Sequence, residues 1–275
     1  MTTFAPPPAP PWGTHAIHGW RRRWLRLVHR LPAGSGWRRL ALWLRRPLKN
    51  ALPEVVDAEI WGLKLRLQLR GNLSEQRLLL MPQYLDATER NCLAAELKPG
   101  SCFLDIGANV GAYSLWVAST CGPQVRIEAF EPDPELCARL RFNLATNQLD
   151  QVHLNALALG DHEGEVRLIS GAGNKGENRV ESSGAGLAVP MTTLPAFLAR
   201  AGISRIDALK IDVEGHETDV LEPLFQNTPR SGWPQLLICE VTHDPDQRLA
   251  RLLATYGYQL TASGRLNGIY RLPAT

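Results

Sequence analysis

The chain has 275 residues, 44% of them apolar, enough for one full hydrophobic core, which excludes a fibrous or wholly disordered protein. Its formal charge of +3 hides an asymmetry: ten of the thirty basic residues, and none of the twenty-seven acids, lie in residues 1–50. The head is strongly basic and the remainder is mildly acidic, as an enzyme domain often is.

In chain order, residues 5–13 (APPPAPPWG) read as disordered or extended. In 20–31, Trp20, Trp24, Leu27, Val28 and Leu31 recur at helical spacing, with Arg21, Arg22, Arg23, Arg26 and Arg30 largely elsewhere. In 37–46, Trp37, Leu40, Ala41 and Leu44 form a stripe beside Arg38, Arg39, Arg45 and Arg46. Pro32, Gly34 and Gly36 separate the two helices. Three readings of residues 20–46 stand side by side. The helices pack on the body with solvated arginines, or they lie on an anionic membrane surface, or they hold nucleic acid or an anionic glycan. Arginines interrupt every candidate signal-peptide core, and no run approaches the ~18 apolar residues of a membrane span.

Residues 54–69 alternate as a hairpin with Gly62 at the turn. Residues 74–97 read as helix broken near Pro82, and Lys98-Pro99-Gly100 as a turn. Strand and helix then alternate, the pattern of a parallel doubly wound sheet. Strands are expected at 102–106, 125–130, 152–155, 207–212 and 236–241. Helices are expected at 111–120, 134–147, 194–202, from 216, and at 245–256. Residues 156–170 read as a hairpin, 171–186 as a glycine-rich loop, and 257–271 as an antiparallel pair turning at Asn267-Gly268. The expected organisation is an extension at 1–50, a packed hairpin and helices at 51–100, and the main domain at 101–275. Cys92, Cys102, Cys121, Cys137 and Cys239 form no CxxC pair, which argues against a disulfide framework and fits a reducing, cytoplasmic compartment.

The most informative stretch is 102–131, CFLDIGANVGAYSLWVASTCGPQVRIEAFE. A strand ends in Asp105, a turn carries Gly107 and Gly111, a helix follows, and a second strand ends in Glu131. An open α/β sheet holds a nucleoside this way, with the loop beneath the ligand and the acid on the ribose diol. A dinucleotide site wants Gly-x-Gly-x-x-Gly; here Asn109 stands at the middle glycine, and Asp105 would repel a pyrophosphate. S-adenosylmethionine has no phosphate and carries a sulfonium and an ammonium. At about 4 Å and an effective dielectric near 20, one such charge pair is worth up to ~4 kcal/mol before desolvation. The expected roles are therefore Asp105 toward the methionine end, Gly107 and Gly111 for close backbone approach, and Asn109 on the carboxylate or capping the helix. Glu131 takes the ribose, with Asn155 and Asp161 near the adenine.

A second motif, DALKIDVEGHE (207–217), sets Asp212, Glu214, His216 and Glu217 at the carboxyl end of a strand, where open sheets do chemistry. At this point the chain resembles the FkbM family of S-adenosylmethionine-dependent methyltransferases. The carrying motifs are FLDIGANVGAYSL (103–115), AFEPDP (129–134), VPMTTLPAFL (189–198) and LKIDVEGHE (209–217). The resemblance covers roughly 75–271 and leaves out 1–60. It implies a Rossmann-like class I fold, with a mostly parallel seven-stranded sheet and helices on both faces. It also implies O-methylation of a hydroxyl on a sugar, glycan, glycolipid or related natural product. Its donor pattern falls on Asp105, Gly107, Asn109, Gly111 and Glu131, and its signature on Lys210, Asp212, Glu214, Gly215 and Glu217.

For the reaction, His216 is the first choice of base, since its ordinary pKa is near 6.5, with Asp212 and Glu214 orienting it or the acceptor. A second route places a divalent cation such as Mg²⁺ on Asp212, Glu240 and His243. A nucleic-acid methyltransferase is the competing enzyme, disfavoured by the acidic body and by the lack of an Asp/Asn-Pro-Pro-aromatic motif. A membrane-associated protein with a vestigial donor pocket is the non-enzymatic alternative. An NAD-dependent oxidoreductase, lacking the central glycine, comes third. Acceptor and oligomeric state are not written in the sequence.

Overall fold

The computed structural model describes residues 9–169, 179–181, 186–241, 247–264 and 266–273. Three helices open the chain, α1 (Gly19–His29), α2 (Ser35–Leu44) and α3 (Arg46–Ala51), followed by the hairpin β1 (Val55–Ile60) and β2 (Leu63–Gln68). Then come α4 (Leu73–Leu80), a short 3-10 turn at Pro82–Tyr84, and α5 (Ala87–Glu96). The body begins with β3 (Cys102–Ile106), α6 (Ala112–Cys121), β4 (Arg126–Phe130), α7 (Pro134–Asn147) and β5 (Val152–Asn155). Four short strands follow: β6 (Ala158–Gly160), β7 (Gly164–Ile169), β8 (Arg179–Glu181) and β9 (Leu187–Thr193). The chain closes with α8 (Leu194–Ala201), β10 (Ala208–Ile211), α9 (Glu217–Asn227), β11 (Leu236–Glu240), α10 (Arg248–Thr255), β12 (Gln259–Ser263) and β13 (Asn267–Arg271).

The main sheet has seven strands in the order β12-β13-β11-β10-β3-β4-β5. The five from β11 to β5 are parallel, β13 alone runs antiparallel to them, and β12, antiparallel to β13, runs in their direction again. β3 and β10 are buried throughout, and apart from Asp105 and Lys210 their residues are apolar on both faces, as a covered parallel sheet requires. Phe103, Ala208 and Ile238 pack with α5, α6 and α7 on one side. Leu104, Leu209 and Leu237 pack with α8, α9 and α10 on the other. Asp105 and Lys210 are register partners on β3 and β10, so these two charges lie side by side on the first of those faces. The chain leaves β3 toward β4 and later returns to β10 on its other side. This reversal of strand order opens a crevice at the carboxyl ends, where such sheets bind ligands.

The head packs on the body. Leu25, Val28, Ala41, Leu44 and Leu48 are buried in the same core as the hairpin. Residues 10–13 are tied down: the Arg66 guanidinium donates to the carbonyls of Pro10 and Pro11, and Trp12 Nε1 donates to Leu65 O at 3.3 Å. The part of 5–13 that is described is therefore held in place and not loose.

The hairpin is bolted to α7. Arg66 N donates to Asn143 Oδ1 and Lys64 N to Asn147 Oδ1. Glu75, wholly buried, accepts from Gln68 N at 2.8 Å and from Arg139 Nη1 at 2.6 Å. Removing one partner of a buried pair strands the other charge, which costs about 3–5 kcal/mol. Arg139→Met is therefore expected to lower unfolding free energy by about that much in urea titration; a loss below about 1 kcal/mol would mean the pair is as slack as an exposed one.

Two expectations are corrected. Residues 156–170 do not pair with themselves. β6 runs parallel to β9 and β7 antiparallel to it, so 187–193, read only as part of a motif, is the strand that joins them. The pairing was hidden because β9 follows the glycine-rich stretch, most of which lies outside the described residues. Asn267 and Gly268 lie within β13, paired with Glu240 and Cys239, and the turn precedes them.

Candidate functional site

A cleft of about 1200 Å³, open to solvent, lies over the carboxyl ends of β3, β4, β10 and β11. Its floor is the loop after β3. Gly107 has φ +73°, and a Cβ there would sit 1.9 Å from Asp212 O, so only glycine lets this loop abut the end of β10. Gly107→Ala is expected to abolish the thermal shift produced by the donor, checked beside circular dichroism; an undiminished shift would contradict the contact. Gly111, φ +78°, starts α6 and leaves room for the Leu140 side chain of α7.

Glu131 sits at the end of β4, 5% exposed, and lines the cleft. Its Oε2 accepts from Asn109 N and its Oε1 from Asp133 N, both at 2.8 Å. Burial pushes its carboxyl up to about 7 against the pull of those two amides. Asn109 adopts φ +54°. Its Oδ1 accepts from Val110 N and from Asn72 Nδ2, both at 2.8 Å, which ties the loop to the start of α4. The helix cap itself is Gly111, not Asn109.

Lys210 is the buried cation of the site. Its Nζ donates to Asp212 Oδ2 at 3.0 Å, lies 3.5 Å from Gly107 O, and stands 5.4 Å from the Tyr113 ring centroid. Burial disfavours its charge, but Asp212, then Asp105, more than offset this and hold its pKa above the ordinary value. Asp212, Glu214 and Glu240 each offer a carboxylate oxygen, all within 4.8 Å of one another. Asp86, Asn109 and Glu214, which line the cleft, are three of the six non-glycine residues with positive φ among the described residues. Such conformations cost of order 1–3 kcal/mol each and gather at working sites.

Several expected residues stand elsewhere. Asp105 is turned into the protein: its Oδ2 accepts from Ser114 N at 3.0 Å and Ser114 Oγ at 2.7 Å, and it does not line the cleft. Its effect there passes through Lys210. Asn155 Nδ2 donates to Glu128 Oε2 at 2.9 Å, and Asp161 is exposed beside His162; neither lines the cleft. Beyond the end of β4 the cleft is instead lined by the apolar Phe130, Leu157, Leu159 and Leu168. His216, expected as base, is also outside the lining. Its Nδ1 meets Asp219 Oδ2 at 2.9 Å, and this bond raises its pKa. Glu217 is buried and accepts from Val213 N and Gly215 N. His243 lies outside the described residues, so of the expected metal set Asp212 and Glu240 come together, with Glu214 as their third member.

Sequence reasoning missed the cleft wall formed by Ser74, Arg77, Leu85 and Asp86. No local motif marks them. Lys210, placed by the resemblance in the signature but without a role, is a lone lysine inside a buried central strand, which needs acids around it.

The donor implied by the motifs can be tested against these residues. The cleft is lined by Asp86, Glu131, Asp212, Glu214 and Glu240 against Arg77 and Lys210, formally three negative charges in excess. That suits a sulfonium and opposes a pyrophosphate. A family model described as the methyltransferase FkbM domain matches residues 105–260.

The chain belongs to the FkbM family of S-adenosylmethionine-dependent methyltransferases.

Among its relatives is the 31-O-demethyl-FK506 methyltransferase FkbM of Streptomyces tacrolimicus, 28% identical over 58% of this chain and 72% of that one. The hexuronic acid methyltransferase AglP of Haloferax volcanii is 25% identical over 60% of this chain and 59% of its own. A segment of the AMB antimetabolite synthetase AmbE of Pseudomonas aeruginosa is 32% identical over 46% of this chain. The chain spans 8% of AmbE and 59% of AglP, less than two thirds of two of these three relatives.

Proposed function

We propose that the protein transfers the methyl group of S-adenosylmethionine to a hydroxyl oxygen of a sugar, glycan, glycolipid or related natural product. The observation that carries this reading is Glu131, a buried carboxylate facing the cleft at the end of β4 with each oxygen held by a backbone amide. Two fixed acceptor oxygens suit the two ribose hydroxyls. The hexuronic acid acceptor of AglP and the 31-O-demethyl-FK506 acceptor of FkbM support an acceptor of this kind.

S-adenosylmethionine, when bound, supplies a methyl on positively charged sulfur. Glu131 orients the ribose. The Gly107 loop admits the donor, and Phe130, Leu157, Leu159 and Leu168 keep water from it. The acceptor hydroxyl reaches the cleft beside Asp212, with Lys210 holding Asp212 Oδ2. As the oxygen–methyl bond forms and the sulfur–methyl bond breaks, the hydroxyl proton passes to the Asp212 carboxylate. Positioning supplies the larger part, about 7–11 kcal/mol, and the base about 10²–10⁴-fold. Incubation with tritiated methyl donor and glycan or glycolipid fractions tests this. Label stable to mild base is expected in a hydroxyl-bearing fraction, whereas label confined to RNA or protein would reject the acceptor class.

One observation favours a second reading. The carboxylates of Asp212, Glu214 and Glu240 are oxygen ligands of the kind a hard divalent cation takes. On the metal-free route favoured here, dialysis against EDTA leaves turnover unchanged. Loss of turnover restored by Mg²⁺ would assign the cluster to a cation.

A further inference from the structure

The first three helices are docked on one side and bare on the other. Leu25, Val28, Ala41 and Leu44 fix them to the core. Further bonds hold them, from Trp24 Nε1 to Leu44 O and from Gln83 Nε2 to Val28 O. Yet Trp20, Leu27, Trp37, Leu40 and Trp43 are exposed, with Trp43 61% and Trp20 54% accessible. They are five of the nine exposed large apolar side chains among the described residues. Having already folded onto the body, these helices leave that apolar surface without an intramolecular use.

The charges around it are compensated only in part. Residues 1–50 contain no Asp or Glu. Arg21, Arg22, Arg23, Arg26, Arg30, Arg38, Arg39 and Arg46 are exposed. The Arg45 guanidinium is held below its ordinary value by burial and then by the like charges of Arg38 and Arg77. Beside this field Asp57 is already paired with Arg66 and Glu59 shares a pocket with Arg22 and Arg26, so acids offset it only in part. An anionic bilayer offers both missing complements: a headgroup layer for tryptophan and leucine, and lipid charge for arginine. Nucleic acid would satisfy the arginines and stack on the tryptophans but gives Leu27 and Leu40 nothing to enter. No helix among the described residues is long and apolar enough to cross a membrane, so the contact is peripheral.

We propose that residues 20–46 are a docking surface for an anionic lipid bilayer, with exposed tryptophan and leucine entering the headgroup layer and arginine binding lipid charge. The surface lies beside the cleft wall. His29 Nε2 meets Leu79 O on α4 at 2.6 Å, and Arg77 of the same helix lines the cleft. A docked molecule therefore holds that wall close to the membrane.

The test is flotation of the full chain with vesicles of phosphatidylcholine alone and of phosphatidylcholine mixed with phosphatidylglycerol. Binding is expected only to the mixed vesicles and is expected to fall steeply as salt shortens the reach of the charges. Arg22→Gln with Arg23→Gln should weaken partition about twentyfold. Trp20→Ala with Trp43→Ala should weaken it as well. Donor affinity by calorimetry should stay at the wild-type value in both double variants, which separates docking from folding and from the proposed activity. Failure to float with the mixed vesicles would overturn the proposal. So would double variants that float like the wild type, or retention on single-stranded RNA without flotation.

Discussion

Glu131→Gln is expected to weaken donor binding by about two orders of magnitude and to flatten its dependence on pH. Each hydrogen bond to a charged acceptor is worth about 1.5–3 kcal/mol, and the amide keeps one acceptor oxygen where the carboxylate had two. A hundredfold loss is about 2.7 kcal/mol, within that range. The pH dependence follows from burial, which pushes the Glu131 carboxyl up to about 7. The ionised form takes the ribose hydroxyls, so wild-type affinity rises as pH climbs from 6 through 7 and levels off above it. Binding below that plateau expels a proton, because the donor pulls the carboxyl back toward its ordinary range. On folding the sign is reversed. A carboxyl raised above its unfolded value costs stability without ligand, and that cost grows between the unfolded value and about 7. Calorimetry at several pH values, in buffers of different ionisation enthalpy, reads both affinity and proton release. A pH-independent wild-type affinity, or a Gln variant that binds like the wild type, would remove Glu131 from the ribose.

The second large effect is on turnover. Asp212→Asn is expected to lower kcat by about 10²–10⁴-fold with little change in donor affinity, while His216→Ala stays near wild type. The contrast follows from where the side chains stand. Asp212 lines the cleft with Lys210 Nζ 3.0 Å from its Oδ2; His216 bonds to Asp219 and is outside the lining. Lys210→Met should move the acid limb of the kcat profile upward, because Asp212 loses the cation that favours its charged form. A His216 variant that collapses while the Asp212 variant turns over normally would return the base to the histidine.

The parts of the structure that could be read in advance share one property: their meaning is local. An apolar run closed by Asp105, a turn with Gly107 and Gly111, and an acid at Glu131 state a strand, a crossover and a ligand-facing end within thirty residues, because periodicity and glycine sterics act over that range. What escaped depends on distant partners. Asn155 stands at the end of the third strand as expected, yet Glu128 on the neighbouring strand claims its amide. His216 stands just ahead of α9, as the motif implies, but Asp219, a turn further on, holds its Nδ1. Asp105 was read for its charge alone; Ser114, nine residues along, turns it inward. β6 and β7 were recognisable as strands, while the choice of β9 as their common partner lay some twenty residues downstream. Ser74 and Arg77 reach the cleft from α4, which Glu75 and Arg139 bolt to α7 and Asn72 ties to Asn109.

That bolt has a consequence for biosynthesis. The hairpin and α4 are translated first, but their anchors, Arg139, Asn143 and Asn147, leave the ribosome some seventy residues later. Until then the hairpin and α4, with the arginine-rich, tryptophan-bearing helices packed on them, wait without the anchors of α7. The interval in which this chain is most open to chaperones, or to premature adhesion, is therefore the one that ends when α7 emerges.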